Sequence, residues 1–469
     1  MENKNEKLAK KSLIYFIGSL SSKILNFILV PIYAYTISSS DLGNYDYIIT
    51  LANIIIPVIY IVLWDGILKF SLSQKAEEKK ITTTSSLFVL TVNIVLMPIL
   101  YVIFKYFYNI GVDSIYVIGI FIVYGLNTIW QYYARALKKE KLYVISSIIA
   151  TIINLILNII TICILKMGFV GLTISYIISN LISIGIIELN VKVLLRLNLK
   201  DFDKKLLYQM IKFSAPLVLN TISAWLLSGM SKVIIISKLG SEANGIYTFA
   251  SKFSIIVTLI GSVINMAFIE ESIISSKSES VDKDFLKTVE FIFEKFLSFL
   301  IVCVPVINIF YLFITNTEYY DSRIYFSFLL IYGLFSIMST NIGTIFHVVN
   351  KTKYAFFTTL LGAIVFIIIS ILGIEKYGLM CVIVAQIIGS FIMFFSRYIF
   401  AEKNTKNKFK WKKIILFIIV YIIITIICYK SDLLINAIIL FITFIFLCYD
   451  NRKIIYNVYQ RGVDKFWKN

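Results

Sequence analysis

Residues 212–252 read KFSAPLVLNTISAWLLSGMSKVIIISKLGSEANGIYTFASK, and this stretch decides how the rest of the chain is organised. It predicts two apolar helices joined by a tight connection from Lys238 to Asn244. Gly245 and Tyr247 open the second helix of this hairpin. Lysines lie inside the apolar runs, where a membrane core would make their charge costly.

The N-terminal part of the chain contains the same hairpin. Four residues recur at a constant offset of 202 positions: Lys10, Ser12, Gly43 and Tyr45 match Lys212, Ser214, Gly245 and Tyr247. Four matches in register across a whole hairpin indicate a duplicated unit. Six spans per copy is an even number, so both copies enter the membrane from the same side, as parallel repeats with a site expected between them.

The composition is that of an integral membrane protein. Of 469 residues, 59% are apolar and 15% are charged, with a mean hydropathy of +0.86. A soluble protein has too much surface for that balance. At about 20 apolar residues per span, the apolar residues suffice for roughly fourteen spans.

The net charge of +18 reports topology and does not indicate a nucleic-acid partner. The N-terminal and C-terminal tails and the even-numbered connections hold 34 of the 45 Lys and Arg residues, and the odd-numbered connections hold six. This alternation follows the positive-inside rule and predicts that both termini are cytoplasmic. The inner loops are also expected to attract anionic membrane lipids.

The predicted fold class is an all-α polytopic membrane protein with about 14 transmembrane helices. Two six-helix lobes are expected, related by a pseudo-two-fold axis along the membrane normal, with two extra helices at the C-terminus. The predicted parts are an N-terminal lobe, a cytoplasmic linker, a C-terminal lobe, and the two extra helices with a basic cytoplasmic tail: 1–191, 192–205, 206–402 and 403–469. The opening hairpins are predicted at 13–37 and 44–68, and at 213–236 and 245–269.

Deep cations are the strongest functional signal. Lys23 lies ten residues into the first span, roughly 15 Å from its start, which is too deep for easy snorkelling. Lys252 is about 10 Å from the outer end of span eight by the same rise. Both are predicted to face an electropositive cavity that favours an anionic ligand. Lys232 lies about a turn from the outer end of span seven, where snorkelling competes with a cavity role.

Uncharged polar residues on the same spans are candidates for the cavity wall: Asn26, Asn53, Asn220 and Trp225. Asparagine can hydrogen-bond hydroxyl-rich groups, and tryptophan can stack on sugar faces. The alternative is that they hold helices together.

The acidic residues avoid the middle of the predicted spans. Asp65 precedes Lys69 by four residues and Glu188 precedes Lys192 by four, spacings that favour i,i+4 ion pairs at the inner interface. Asp65 and Glu294 remain candidates for a proton or cation coupling site. The sequence contains no nucleophile triad and no nucleotide-binding motif, so we predict a non-enzyme without a bound cofactor that uses H⁺ or Na⁺ as a coupling ion.

Prolines and cysteines all lie within predicted spans. Pro31, Pro57 and Pro216 are candidate hinges that would let the lobes rock, or else static kinks that suit packing. The five cysteines have no paired spacing, which predicts neither disulfides nor a metal site.

Two stretches resemble a known family. SKVIIISKLGSEANGIYTFASK at 231–252 and KKSLIYFIGSLSSKILNFILVPIYAY at 10–35, with Gly43 and Tyr45, resemble the hairpins of Wzx-like polysaccharide or O-antigen flippases. These form a branch of the multidrug/oligosaccharidyl-lipid/polysaccharide (MOP) exporter superfamily. That family commonly has an acidic residue before the basic residue of span seven, and this chain has Ser231 there.

The resemblance implies transport of undecaprenyl-pyrophosphate-linked oligosaccharide units from the cytoplasmic to the outer leaflet by alternating access, for cell-surface polysaccharide synthesis. It implies that spans one, two, seven and eight line the cavity. The alternatives are a multidrug or small-molecule exporter and a lipid-linked peptidoglycan-precursor flippase of the same superfamily. The expected location is the bacterial cytoplasmic membrane. The expected working unit is a monomer, with other polysaccharide-assembly membrane proteins as candidate partners.

Overall fold

The computed structural model describes residues 28–73, 78–107, 112–276, 285–348, 351, 353–405 and 408–452. Within these ranges it describes every side chain except those of residues 196, 263–276, 347 and 348. All regular secondary structure in this part of the chain is helical, as the composition predicted.

The first nine helices are α1 (28–36), α2 (Ser39–Ile59), α3 (Leu63–Ser73), α4 (Glu78–Phe107), α5 (Ser114–Ala136), α6 (Glu140–Asn158), α7 (Gly168–Val191), α8 (Lys204–Ser228) and α9 (Met230–Ser276). A π-helical segment, Ile159–Ile164, continues α6. The others are α10 (Phe285–Phe313), α11 (Phe326–Gly343), α12 (Ile345–Val348), α13 (Lys353–Thr405), α14 (Trp411–Lys430) and α15 (Leu433–Asp450).

Twelve helices of the described part are long and apolar enough to cross a membrane. Together they cover predicted spans two to fourteen, because α13 contains two of those spans on either side of Gly378. Gly240 separates two helical segments within α9 in the same way. Gly240 has a φ of 87° and Gly378 a φ of 58°, values that L side chains rarely adopt.

The chain divides into two compact units. The first consists of the described residues of Met1–Thr248 and Ile367–Val382, and the second of those of Phe249–Phe366 and Ile383–Asn469. The predicted linker, 192–205, does not coincide with this division, because α8 and the start of α9 belong to the first unit. The connection between α7 and α8 contains two 3₁₀ turns and ends at Asp203, which caps α8 by accepting from the N–H groups of Lys205 and Leu206.

The second predicted span, 44–68, is not one continuous helix. It is broken at Tyr60–Val62 into α2 and α3, and Ile61 and Val62 have positive φ of 53° and 49°. The N–H that Pro57 lacks would have bonded the Asn53 carbonyl, one turn before the break. At the break itself, the Pro57 carbonyl accepts from the Val62 N–H at 2.9 Å, five residues on. Tyr60 is fully buried and its hydroxyl accepts from Asn93 at 2.6 Å, which fixes the break.

The helix α14 is apolar on its exposed face as well as on its packed face. Along α14, Ile415, Ile419, Ile422 and Ile426 form an exposed apolar stripe at helical spacing. The opposite face buries Phe417 and Tyr421. A helix that is apolar on both its packed and its exposed face is typical of a membrane span.

Candidate functional site

The turns of the two repeated hairpins meet within the first unit, and we call this region the hairpin contact (Ser39–Asp46 with Lys232 and Ser241–Thr248). Two glycines make it close. A Cβ added at Gly43 would overlap the carbonyl oxygen of Ser241, and one added at Gly245 would overlap the carbonyl oxygen of Ser39. The two turns therefore approach backbone to backbone, which only glycine permits at these positions.

Hydrogen bonds join the same two turns. The hydroxyl oxygens of Ser40 and Ser241 lie 2.8 Å apart. Asn244, which is fully buried, donates from Nδ2 to the carbonyl oxygen of Gly43 at 2.7 Å. The contact thus satisfies the buried amide nitrogen of Asn244, which would otherwise be costly to bury.

An ion pair lies beside the glycines. The Nζ atom of Lys232 is 2.7 Å from Oδ2 of Asp46, and both side chains are about one-fifth exposed, at 19% and 20%. The hydroxyl of Thr248 donates to the same carboxylate oxygen at 2.9 Å. Asp46 and Thr248 are themselves separated by 202 positions, so equivalent positions of the two copies meet at this carboxylate.

The predicted cavity residues of α2 and α8 have different environments. Trp225 donates from Nε1 to the carbonyl oxygen of Thr50 at 2.9 Å, which ties α8 to α2. Asn53 is exposed and its Oδ1 accepts from the hydroxyl of Tyr124 at 2.8 Å. Asn220 is exposed on α8. The Trp225 bond is of the kind that holds helices together, while Asn53 and Asn220 present polar atoms outside the packed core, and the cavity role of all three stays a prediction.

Two of the predicted cavity residues, Lys23 and Asn26, lie outside the described residues. Lys252 lies on α9 in the second unit and is half-buried, next to the buried Phe253. The predicted hinge Pro31 is exposed in α1, Pro57 is buried in α2 and Pro216 is exposed in α8. Their roles remain predictions.

The predicted i,i+4 ion pairs at Asp65 and Glu188 do not form, because each carboxylate has better-placed neighbours. Asp65 is hydrogen-bonded by Tyr132, with Arg135 nearby, while Lys69 lies 3.7 Å from the ring centroid of Phe213. Glu188 accepts from the indole N–H of Trp130 at 2.9 Å and caps the end of α7 by accepting from the N–H groups of Val193 and Leu194.

Glu294, the other candidate for ion coupling, forms an ion pair within the second unit. Its Oε2 lies 2.6 Å from Nζ of Lys413, which in turn is 3.8 Å from a carboxylate oxygen of Asp450. Lys295 pairs with Asp450 at 2.5 Å. These contacts make a charge cluster that joins α10 to α14 and α15. Among the described residues, no three His, Cys, Asp or Glu side chains come together as metal ligands would.

Sequence reasoning missed Asp46 as the partner of Lys232. It found Gly43 and Gly245 as repeated residues without predicting that they touch. The signal was present in the repeat, since the offset of 202 that pairs the glycines also pairs Asp46 with Thr248. A buried threonine at the matching position of the second copy indicates that only one of the two copies supplies the charge.

Solved structures with the same fold are transporters. The structure described as the lipid II flippase MurJ in an inward closed conformation matches with a TM-score of 0.70 and 16% identity, over 94% of this chain and 100% of that chain. An inward-facing multidrug resistance MATE family transporter of the MOP superfamily matches with a TM-score of 0.58 and 14% identity, over 82% and 98%. An outward-facing structure of a multidrug resistance MATE family transporter of the MOP superfamily matches with a TM-score of 0.57 and 14% identity, over 86% of this chain and 96% of that chain. At these identities the likeness shows the fold.

The family comparison supplies the identification that the fold leaves open. No curated protein matches the chain. The model of the polysaccharide biosynthesis protein family matches residues 8–270, a range that contains both repeated hairpins and the whole hairpin contact. Because this match covers more than half of the 469 residues, the chain, a multi-pass membrane protein with the fold of MOP-superfamily transporters, belongs to the polysaccharide biosynthesis protein family.

Proposed function

We propose that this protein is a flippase that moves undecaprenyl-pyrophosphate-linked oligosaccharide units from the cytoplasmic to the outer leaflet. The observation that carries the proposal is the combination of the polysaccharide biosynthesis family match with full-length similarity to the lipid II flippase MurJ. The structural neighbours are transporters, and the proposed activity needs no covalent chemistry. Its location is the bacterial cytoplasmic membrane, with both termini on the inner side.

The hairpin contact supplies the moving part of the mechanism. Alternating access requires a closure that forms and breaks in every cycle. The contact is small, polar and backbone-based, and its hairpin turns are predicted to face outside. Breaking it releases the hydrogen bonds of Ser40, Asn244 and Thr248 and one ion pair, all of which are groups that water solvates readily. A large apolar contact at the same place would cost far more to open.

The anionic pyrophosphate requires cations along its path. Lys23 and Lys252 are the proposed ligands, as the sequence predicts. Lys232 is engaged by Asp46 while the contact is closed, so it becomes available to an anion only when the two hairpins separate. A gradient of H⁺ or Na⁺ is the proposed energy source, with Asp65 and Glu294 as candidate coupling residues.

A reversible cross-link across the hairpin contact tests whether it opens during transport. The double variant Ser40→Cys, Ser241→Cys, in a background lacking the five native cysteines, places two thiols where the hydroxyls are now 2.8 Å apart. Oxidation should stop surface-glycan export, and reduction should restore it. Each single variant, treated with the same oxidant, is the matched control. Full export by the oxidised double variant would show that this contact does not open.

The nature of the cargo is tested by deletion of the gene. The lipid-linked oligosaccharide should accumulate on the cytoplasmic leaflet, and its chemical identification names the glycan. Similarity to MurJ favours a second candidate, a lipid-linked peptidoglycan precursor, and accumulation of that lipid instead would replace the proposal. If neither lipid accumulates, the flippase assignment fails. Small-molecule export then becomes the favoured function, because the fold is also that of MATE family transporters.

A further inference from the structure

A polar cavity of about 280 Å³ lies in the first unit, and Tyr45 of the hairpin contact forms part of its lining. We call it the amide cavity. It is lined mainly by carboxamide and hydroxyl side chains of α2, α5, α6 and α7: Tyr45, Asn127, Gln131, Ser147, Ala150, Thr151, Asn154, Tyr176, Ser179 and Asn180. No lining residue is an acid or a base that is charged at neutral pH. Two other cavities, in the second unit, are lined almost wholly by apolar side chains.

The amide cavity is in the middle of the membrane-spanning helices. Asn127, Asn154 and Asn180 each lie near the midpoint of their own span. Polar atoms at that depth are costly unless they are hydrogen-bonded, because the bilayer core offers no water. Three carboxamides at one level of three neighbouring helices therefore need an explanation.

Helix packing accounts for part of this cluster. Asn127 donates to Oδ1 of Asn180 at 2.7 Å, and Asn154 donates to the hydroxyl of Ser179 at 3.3 Å. Interhelical bonds of this kind hold transmembrane helices together. However, Oδ1 of Asn127 is buried without a hydrogen-bond partner among the described residues. Gln131 reaches Ser147 only at 3.4 Å. Because the Asn127 oxygen is enclosed by protein, the unused hydrogen-bonding capacity at the cavity wall is that of the half-buried Gln131.

The shape and chemistry of the space select a class of ligand. Its volume is that of about nine waters at about 30 Å³ each, which is enough for one pyranose ring. Carboxamides carry both donors and acceptors and so match the paired hydroxyls of a sugar. The rings of Tyr45 and Tyr176, with centroids 6.4 Å apart, offer aromatic surface on one side. Without charge in the lining, neither pyrophosphate nor an organic cation finds a counter-ion here.

We infer that the amide cavity binds a neutral sugar ring of the cargo. This inference rests on the proposed function and deepens it, because it assigns the saccharide and the pyrophosphate to different parts of the protein. The sugar site lies wholly within the first unit. Recognition of a sugar by a few carboxamides is permissive, and it would select for a hydroxylated ring more than for one particular stereochemistry.

The test compares two lipids on the full-length protein in nanodiscs. The probes are bare undecaprenyl pyrophosphate and the lipid-linked saccharide extracted from the deletion strain, with binding measured by native mass spectrometry. The wild-type protein should bind the saccharide-bearing lipid about tenfold more tightly than the bare lipid, the effect of two or so hydrogen bonds. Lys252→Ala should weaken the binding of both lipids by a similar factor.

Two variants address the amide cavity. Ala150→Leu fills the space without removing any polar group, and Gln131→Leu removes a carboxamide whose one described bond is long. Each should reduce the tenfold preference to near unity and leave the affinity for the bare lipid unchanged. Ile152→Leu, on the exposed face of α6, is the matched control. Thermal melting of every variant shows whether it is folded.

The outcomes separate the inference from the function on which it rests. If folded Ala150→Leu and Gln131→Leu proteins keep the full preference, the cavity holds only water and the inference is wrong, while the flippase assignment stands. If the wild-type protein binds neither lipid, the proposed function fails and the sugar site fails with it. If the wild-type protein binds both lipids equally, the saccharide is not recognised and the inference is again wrong.

Discussion

At the scale of single residues, two positions of this protein can hold only glycine, because a Cβ at either would overlap the backbone of the other hairpin. Gly43 and Gly245 let two helical turns touch through their backbones, and the ion pair of Lys232 with Asp46 lies beside them. The family resemblance led us to expect an acidic residue next to Lys232 in sequence, where this chain has Ser231. The structure supplies the acid from the other hairpin, so the charge pair joins the two copies.

We expect Gly43→Ala to prevent closure of the hairpin contact. The new Cβ would overlap the carbonyl oxygen of Ser241, and backbone atoms cannot move aside as a flexible side chain can. Overpacking of this kind typically costs about 1–3 kcal/mol. The measurement is the yield of the disulfide cross-link in the Ser40→Cys, Ser241→Cys background, which should fall at least severalfold.

Gly185→Ala is the matched control, because a Cβ at Gly185 on α7 meets nothing within 4 Å. It should leave the cross-link yield unchanged and slightly favour the helix, since alanine is the better helix former. An undiminished yield in Gly43→Ala would contradict the close approach of the two turns.

The pair of Lys232 and Asp46 should show a coupling energy in a double-mutant cycle. Neutralising either partner leaves the other charge partly buried, so Lys232→Gln and Asp46→Asn should each destabilise the protein, and the double variant should destabilise it less than their sum. We expect a coupling of about 1–2 kcal/mol from thermal melting in nanodiscs. The exposed pair of Lys408 with Glu402 is the control, and solvent screening should leave it with little coupling. A cycle without coupling would mean that the pair does not hold the hairpins together.

At the scale of elements, the long helices are divided at residues with left-handed backbone conformations. Gly240 and Gly378 divide α9 and α13, and Ile61 with Val62 divides the predicted second span. Two adjacent β-branched residues in this region carry strain, roughly 1–2 kcal/mol each, so packing must hold them there. The break places α2 in the hairpin contact while α3 packs against α8.

Lys192→Gly should stabilise the protein. Lys192 ends α7 with φ of 61° and ψ of 46°, and its side chain is exposed, so glycine removes backbone strain and loses little packing. We expect a gain of up to about 1 kcal/mol, seen as a higher melting temperature in nanodiscs. Asn190→Gly, two residues earlier in the regular helix, should instead lower it. A decrease for Lys192→Gly would argue against the left-handed cap.

At the scale of the whole molecule, the distribution of charge determines the predicted orientation. The Lys and Arg content of each predicted connection assigns it to a side. Glu242 is exposed in the turn of the second hairpin, and Lys200 is exposed in the linker between α7 and α8. The positive-inside rule places them on opposite sides of the membrane.

Cysteine labelling of intact cells tests this orientation. In the cysteine-free background, Glu242→Cys should react with an impermeant maleimide from outside, and Lys200→Cys should react only after permeabilisation. The unmodified cysteine-free protein is the control for background reaction. The reverse pattern would overturn the topology and, with it, the assignment of the hairpin contact to the outer side.

The sequence by itself determined the order of apolar spans two to fourteen and the repeat that relates the two hairpins, because these depend on residues near one another in the chain and on a repeat that can be counted. It placed Lys232 and Trp225 on one span, 213–236, which the structure divides at Gly229 between α8 and α9, and it did not identify their partners. Only the tertiary structure decided that Asp46 pairs with Lys232, that Gly43 meets Gly245, and that three carboxamides of separate helices surround one cavity. The physical reason is that such contacts depend on the rotation and depth of each helix, which packing fixes and hydropathy does not encode.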